Sequence, residues 1–266
     1  MKIVVLGSTG MLGHMVASRA SSEHEVYEIN RDLLEASTFC EDDMFEISKL
    51  EPDVVINCMG IIKQLKEGPE LSYAVNAVFP HKLSHLCHHF GIRLVHISTD
   101  CVYSGDEGNY IETDLSDVND TYGNSKYLGE VDYCPETITL RTSIIGHEKS
   151  GKNLSLVDWF LSQTGSVNGF SKAIFSGFPT VELADIILNY VLPDESLSGL
   201  YHVSAEPIDK FTLLNLIKDR YDFDIKINKD SEFIIDRSLN SDRFKFDTGY
   251  TPPSWDQLIQ KMYEFK

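Results

Sequence analysis

An apolar run, Lys2-Ile3-Val4-Val5-Leu6, passes directly into Gly7-Ser8-Thr9-Gly10-Met11-Leu12-Gly13, and a helical pattern follows from Met15 to Ala20. A strand, a glycine turn and a helix in that order open a βαβ unit of the kind that binds dinucleotides. In such a unit Gly7 takes the tight turn, Gly10 lets backbone approach a pyrophosphate, and Gly13 lets the helix pack on the strand. Thr9, Met11 and Leu12 complete the loop. The helix N-terminus offers free N–H groups and a positive dipole end to the phosphates. The bland alternative is a strand–helix turn with no ligand.

The rest of the chain repeats the pattern. Glu25–Ile29 reads as a second strand, Pro52–Asn57 as a third, Ile92–Ile97 as a fourth and Thr137–Thr142 as a fifth. Their continuous apolar runs suit strands buried on both faces, and helical segments separate them. That alternation predicts an α/β fold, a doubly wound parallel (Rossmann) sheet, with a smaller C-terminal substrate-binding lobe. Residues 1–145 are expected to form the dinucleotide-binding domain. Residues 146–266 are expected to be mainly the lobe, with segments at about 180–205 returning to the sheet. The texture turns polar from His147 to Asn153, where that lobe begins.

The second strand ends at Asn30-Arg31-Asp32. An arginine at this tip suits the 2′-phosphate of NADP, whereas an acidic residue suits the 2′-hydroxyl of NAD. Arg31 favours NADP, and Asp32 keeps NAD open; a solvated surface arginine is the plain alternative. Asp43-Met44, read as preceding a short helix, are placed at the edge of the adenine. Cys58, Met59 and Gly60 follow the third strand at the carboxyl edge, where the cofactor should lie. Ile97 and Ser98 at the end of the fourth strand are counted with them.

Composition narrows the function. The 266 residues carry a formal charge of −18, and 42% are hydrophobic. Such an acidic chain is a poor non-specific partner for nucleic acid, whose phosphates are met by Lys and Arg. No apolar run approaches the roughly 20 residues that span a bilayer. The apolar N-terminal stretch is too short for a signal-peptide core, so a cytoplasmic protein with no membrane partner is expected. Five scattered cysteines without a Cys-x-x-Cys pair argue against disulfides or a zinc knuckle. His81, His85, His88 and His89 fall on one helical segment, Leu71–Phe90, which Pro80 should kink or divide. No nearby carboxylate or cysteine completes a metal set there, so no metal is expected.

The chemistry concentrates between Thr99 and Lys126. A hydroxyl residue closes the fourth strand, and Tyr122 and Lys126 follow at i and i+4, on one helical face. A phenol has an unperturbed pKa of about 10, and a nearby ammonium should lower it. Thr99 would hydrogen-bond the substrate oxygen that Tyr122 protonates. The helix is expected to run on to Asp132.

These motifs together resemble the extended short-chain dehydrogenase/reductases, and more narrowly the dTDP-4-dehydrorhamnose reductase branch of nucleotide-sugar reductases. The residues carrying the resemblance are Gly7-x-x-Gly10-x-x-Gly13, Val75-Asn76-Ala77, His96-Ile97-Ser98-Thr99-Asp100-x-Val102-Tyr103-x-Gly105, Tyr122-Gly123-x-Ser125-Lys126-x-x-Gly129-Glu130 and Leu140-Arg141-Thr142-Ser143. The resemblance implies a catalytic set of Thr99, Tyr122 and Lys126. It would reduce the 4-keto group of a nucleotide-activated 4-keto-6-deoxyhexose with NAD(P)H, in deoxysugar and surface-polysaccharide synthesis. Asn76 would be structural. The related 4,6-dehydratases carry Thr-Asp-Glu where this chain has Thr99-Asp100-Cys101. A thiol is a poor substitute for that acid, so keto reduction fits better than water elimination.

The segment from Gly146 to Phe178 departs from the reductase pattern, and it should contact the sugar and nucleotide. Expected substrate contacts are Thr99, Asp100, Val102, Tyr122, Asn153, Trp159 and Arg237. Trp159 either stacks on the ligand or fills the core of an amphipathic helix. Arg237 and Arg243 either meet a substrate diphosphate or form surface ion pairs. The resemblance also implies a homodimer through the helices bearing residues 71–90 and 122–133. Two other readings stay open: an epimerase on the same scaffold, and a non-catalytic NADP-binding regulatory subunit.

Overall fold

Alternate residues of the first strand face opposite layers, and that alternation sets the architecture. The computed structural model describes residues 1–266 except Lys66, Ser150 and Lys152, the last two within the polar stretch from His147 to Asn153. In β1 (Lys2–Leu6), Ile3 and Val5 pack with α1 (Gly13–Ala20), while Val4 and Leu6 pack with the opposite layer. That layer holds α2 (Glu41–Ser48), α3 (Pro69–Tyr73) and α4 (Phe79–Phe90). Between them lie β2 (Glu25–Ile29), β3 (Val54–Asn57) and β4 (Arg93–Thr99). After α5 (Thr121–Tyr127) comes β5 (Thr137–Thr142). Each fully buried Val or Ile of these strands contributes about 1.5–3 kcal/mol.

The remaining elements are β6 (Ile144–Ile145), α6 (Leu156–Leu161), β7 (Ser166–Phe175), β8 (Phe178–Pro179) and α7 (Thr180–Ile186). They continue through β9 (Gly199–His202), β10 (Ile208–Asp209), α8 (Lys210–Arg220), β11 (Lys226–Asp236), α9 (Asp242–Thr248) and α10 (Trp255–Glu264). A six-stranded sheet has the order β2-β1-β3-β4-β5-β9, and every neighbouring pair in it is parallel. Helices α1 and α7 cover one face. The chain moves outward in opposite directions from β1, to β2 on one side and β3 on the other. Ligands bind at the carboxyl ends beside such a switch point.

A second sheet, β10-β7-β11, packs with α6, α8 and part of α10 around its own core of Val157, Phe160, Leu213 and Ile217. A few segments differ from the sequence expectation. Phe170–Phe178, whose sequence suits irregular or short-strand structure, belongs largely to the ten-residue β7, and β11 beside it has no counterpart among the expected strands. β11 shifts register between Asp230 and Ile234 and is largely exposed, so its apolar alternation is broken.

The Leu71–Phe90 segment is helical throughout, with an irregularity just before Pro80. The helical path continues through a π-helical turn at Ala74–Val78, immediately before Pro80, which has no N–H to give a helical carbonyl. The α5 helix stops at Tyr127 rather than running to Asp132. A Cβ at Gly129 would lie 1.8 Å from the Asn76 carbonyl oxygen, so the chain turns there, pressed against the π segment.

Candidate active site

The carboxyl ends of β1, β3 and β4 bring the glycine loop, Cys58–Gly60 and Thr99 to one edge. Gly7 has φ of +78°, and a Cβ there would sit 3.0 Å from the Met59 amide nitrogen. At Gly13 an added Cβ would come 2.1 Å from the Gly7 carbonyl oxygen, so α1 rests directly on the turn. Helix α1 has no side-chain cap and no acidic residue in its first turn. The amides of Met11 and Leu12 meet no backbone acceptor among the described residues. Free donors at a helix start, reached by a loop without side chains, fit a dinucleotide diphosphate.

Some of the expected cofactor contacts are placed differently. Leu12 is 5% exposed and its side chain belongs to the core, which leaves only its backbone for a ligand. Asp43 and Met44 lie inside α2, not before it. The Asp43 carboxylate accepts from the Cys40 amide at 2.9 Å and caps the helix, while Met44 is fully buried. Neither side chain is presented to an adenine. Arg31 is exposed at the tip of β2, its Nε donating to Glu35 at 2.9 Å. Thr9 and Gly10 are exposed, and Cys58 and Met59 half-buried.

Thr99, Tyr122 and Lys126 converge on the end of β4. A short turn, Asp100–Val102, follows the strand, and Thr99 caps it: its Oγ1 accepts from the Cys101 amide at 3.2 Å. The same hydroxyl donates to the Asp100 carboxylate at 3.1 Å. Helix α5 is capped by Asp120, which accepts from the Gly123 amide at 2.9 Å. A Cβ at Gly123 would be 2.2 Å from the Cys101 carbonyl oxygen. Only glycine lets α5 lie that close to the turn, and the closeness delivers Tyr122 to Thr99.

The electrostatics correct one expectation. Burial pushes the Tyr122 phenol up, the neighbouring Cys101 and Asp100 push the same way, and the nearby Thr99 hydroxyl pulls against them. Lys126 takes no part in this, because its Nζ donates to the Ile97 carbonyl at 2.7 Å. Burial lowers the Lys126 pKa to about 8, with the Glu130 carboxylate opposing the fall. Burial also lifts the Cys58 and Cys101 thiols to about 12, so both are neutral. Asp100 is buried and its carboxyl is raised by desolvation, with Arg237 opposing.

Behind this set lies a buried ion pair that the sequence reading did not single out. Arg141 donates to both Glu130 oxygens, at 2.8 Å and 2.5 Å, and Ser98 Oγ donates to Glu130 at 2.6 Å. Arg141 also donates to Tyr103 at 2.5 Å and to His202 Nε2 at 2.9 Å. That fixes the proton of His202 on Nδ1, which meets the Tyr110 carbonyl at 3.0 Å. Burial and the guanidinium lower His202 to about 3, so it is neutral. Asn76 holds Ile61 through both ends of its amide and donates to Ser125.

The expected substrate contacts divide. Arg237 reaches the site, donating to the Tyr103 carbonyl at 2.8 Å and lying 3.6 Å from Cys101 Sγ. Val102 does not present a side chain, being fully buried with Tyr103, Tyr110 and Leu239. Asn153 is exposed with φ of 53°, on the connection to α6. Trp159 is 38% exposed on α6, so it is not ordinary core. Among the described residues neither hydrogen-bonds to the Thr99 group. Arg243 donates to the Leu200 carbonyl and covers the Tyr201 ring at 4.1 Å. Tyr122 opens onto a cleft of about 250 Å³, closed on one side by the Lys63–Asp120 ion pair at 3.1 Å.

Comparison with known proteins shows the family. Over 171 residues the chain is 32% identical to a dTDP-4-dehydrorhamnose reductase of Mycobacterium tuberculosis, a match covering 59% of this chain and 54% of that one. The match thus spans about half the length of that relative. A crystal structure of dTDP-4-dehydrorhamnose reductase from Bacillus anthracis, in complex with NADP, superposes with a TM-score of 0.87 at 20% identity, covering 100% of this chain and 99% of the other. A hypothetical dTDP-4-dehydrorhamnose reductase from Sulfolobus tokodaii gives 0.80 at 26% identity, covering 96% and 98%. A family profile described as the RmlD substrate binding domain matches residues 1–233. The chain belongs to that family.

Proposed function

We propose that the protein reduces the 4-keto group of a nucleotide-activated 4-keto-6-deoxyhexose, of the dTDP-4-dehydrorhamnose kind, using NADPH in preference to NADH. The observation that carries this reading is the convergence of Thr99, Tyr122 and Lys126 at the carboxyl end of β4, beside the glycine loop. The names of the relatives support the substrate class. The bound NADP of the Bacillus neighbour and Arg31 at the tip of β2 support the cofactor.

Gly7, Gly10, Met11 and Leu12 would hold the diphosphate through their backbone, and Arg31 would leave Glu35 for the 2′-phosphate. NADPH supplies the hydride when bound. Reduction needs a proton for the carbonyl oxygen, and a phenol held above its ordinary pKa carries that proton at neutral pH. Tyr122 therefore donates, and Thr99 Oγ1 turns from Asp100 to orient the carbonyl. Lys126, charged below about pH 8, would hold ribose hydroxyls of the cofactor. Cys101, neutral and paired with Arg237, offers no acid for water elimination.

In this reading residues 1–145 bind the cofactor and 146–266 mainly the sugar, with 180–205 completing the sheet. The protein would act in the cytoplasm, where its five free thiols stay reduced. Among the described residues no helix is long and apolar enough to cross a membrane. A homodimer would cover Val78, Leu128 and Tyr133, which are 50%, 55% and 67% exposed near α4 and α5; light scattering would report twice the chain mass.

The test of function is loss of NADPH absorbance with a panel of 4-keto-6-deoxy nucleotide sugars. One panel member should turn over, and Tyr122→Phe should lower the rate about 10²–10⁴-fold. Tight NADPH binding without turnover of any panel member would refute the reading.

A further inference from the structure

On sequence grounds the histidines of α4 lack a cysteine or carboxylate to complete a metal set. The fold supplies both from a distant segment. Each of His88, Cys134 and Glu136 offers one ligand atom, and the three atoms lie within 4.8 Å of one another. His88 Nδ1 is 2.7 Å from Glu136 Oε2, and Cys134 Sγ is 3.5 Å from the same oxygen. We propose that these three residues form a zinc-binding site, remote from Tyr122.

The backbone holding the three residues is fixed from several sides. Cys134–Thr137 form a turn with Pro135 at its second position, closed by the Thr137 amide donating to the Cys134 carbonyl at 3.0 Å. The Leu94 amide donates to the Glu136 carbonyl at 2.9 Å, tying the turn to β4. One helical turn before His88, Ser84 Oγ meets Thr137 Oγ1 at 2.8 Å inside the protein, clamping α4 to the same turn. Gly91 ends α4 in the left-handed region at φ of 66°.

Zinc bonds of about 2.0–2.3 Å place tetrahedral ligand atoms about 3.3–3.8 Å apart. The spacings present, from 2.7 Å to within 4.8 Å, reach that range by small side-chain rotations. A thiolate, an imidazole and a carboxylate together suit zinc better than calcium or magnesium, which take oxygen ligands. On binding, the Cys134 thiol loses its proton to solvent as the Zn–S bond forms, and the ion replaces the His88–Glu136 hydrogen bond. His88 is exposed and Glu136 half-buried, so water takes the fourth position. Leu94 and Thr137 are paired near the start of β4, while Thr99 is at its end, about 17 Å away at 3.3 Å per residue. Zinc here leaves the reductase chemistry untouched.

The test titrates Zn²⁺ into the full chain against a chromophoric chelator. One tight equivalent per chain is expected, weakened at least tenfold by His88→Gln, Glu136→Gln and Cys134→Ser, and unchanged by His85→Gln on the same helix. Co²⁺ in place of zinc should give a thiolate charge-transfer band in the wild type that Cys134→Ser abolishes. Should Cys134→Ser fail to fold, His88→Gln and Glu136→Gln carry the test. Zinc binding unaltered by His88→Gln and Glu136→Gln, a cobalt spectrum without the thiolate band, or no tight equivalent at all would overturn the proposal.

Discussion

Lys126→Met keeps the aliphatic stem and removes the ammonium, and its effect on stability should depend on pH in a defined way. Burial lowers the Lys126 pKa from 10.5 to about 8. A shift of that size is worth about 3 kcal/mol of folded-state penalty on the charged form. Below pH 8 the lysine is charged whether the chain is folded or unfolded, so the wild type bears the whole penalty. Between about 8 and 10.5 the unfolded chain keeps a proton that the folded chain has shed, so stability rises with pH. Above 10.5 both forms are neutral and the penalty is gone.

Urea unfolding of wild type and Lys126→Met at pH 7 and pH 10 should therefore diverge. The wild type should gain about 2–3 kcal/mol relative to the variant over that interval. Contributions independent of Lys126, including titration of other groups, cancel in the difference. Parallel pH dependence in the two proteins would refute the reasoning, because it would mean that Lys126 titrates as if exposed. The variant should also lose NADPH oxidation at every pH, and the wild-type rate should fall as pH rises through about 8.

Gly129→Ala should destabilise by about 1–3 kcal/mol, read from the urea midpoint, because its Cβ meets the Asn76 backbone at 1.8 Å. Arg141→Met strands the Glu130 carboxylate and should lower stability by about 3–5 kcal/mol at pH 7, while adding Glu130→Leu should recover much of the loss. Arg31→Ala should raise the KM for NADPH about tenfold or more and leave that for NADH nearly unchanged, as removal of one charge-assisted phosphate contact requires.

The inner strands of the sheet were legible in the sequence because they are uninterrupted apolar runs, as Val54-Val55-Ile56 shows. Helices with strong end signals were legible for the same reason, as Gly91 shows at the end of α4. The edge of the second sheet was not. β11 carries Lys229, Asp230 and Glu232 on an exposed, bulged strand, and a half-solvated edge leaves no period-2 signal. Tyr122 and Lys126 could be found from their i, i+4 spacing, but spacing does not tell where an ammonium points. Lys126 turns to the Ile97 carbonyl, and burial dominates both groups. Met44 and Val102 were expected to meet ligands, yet Met44 is a core residue of α2 and Val102 is buried with Tyr103, Tyr110 and Leu239. The His88–Cys134–Glu136 cluster joins α4 to a turn 46 residues further along the chain, a distance at which local spacing carries no information.

The central claim is hydride transfer to the sugar, and deuterium transfer tests it most directly. With 4-deuterated NADPH and the 4-keto-6-deoxy nucleotide sugar that the panel selects, mass and NMR spectra should show one deuterium at C4 of the product for each NADP formed. A sugar recovered without deuterium, whether epimerised or unchanged and with no NADP released, would contradict reduction and identify an epimerase or a binding subunit instead.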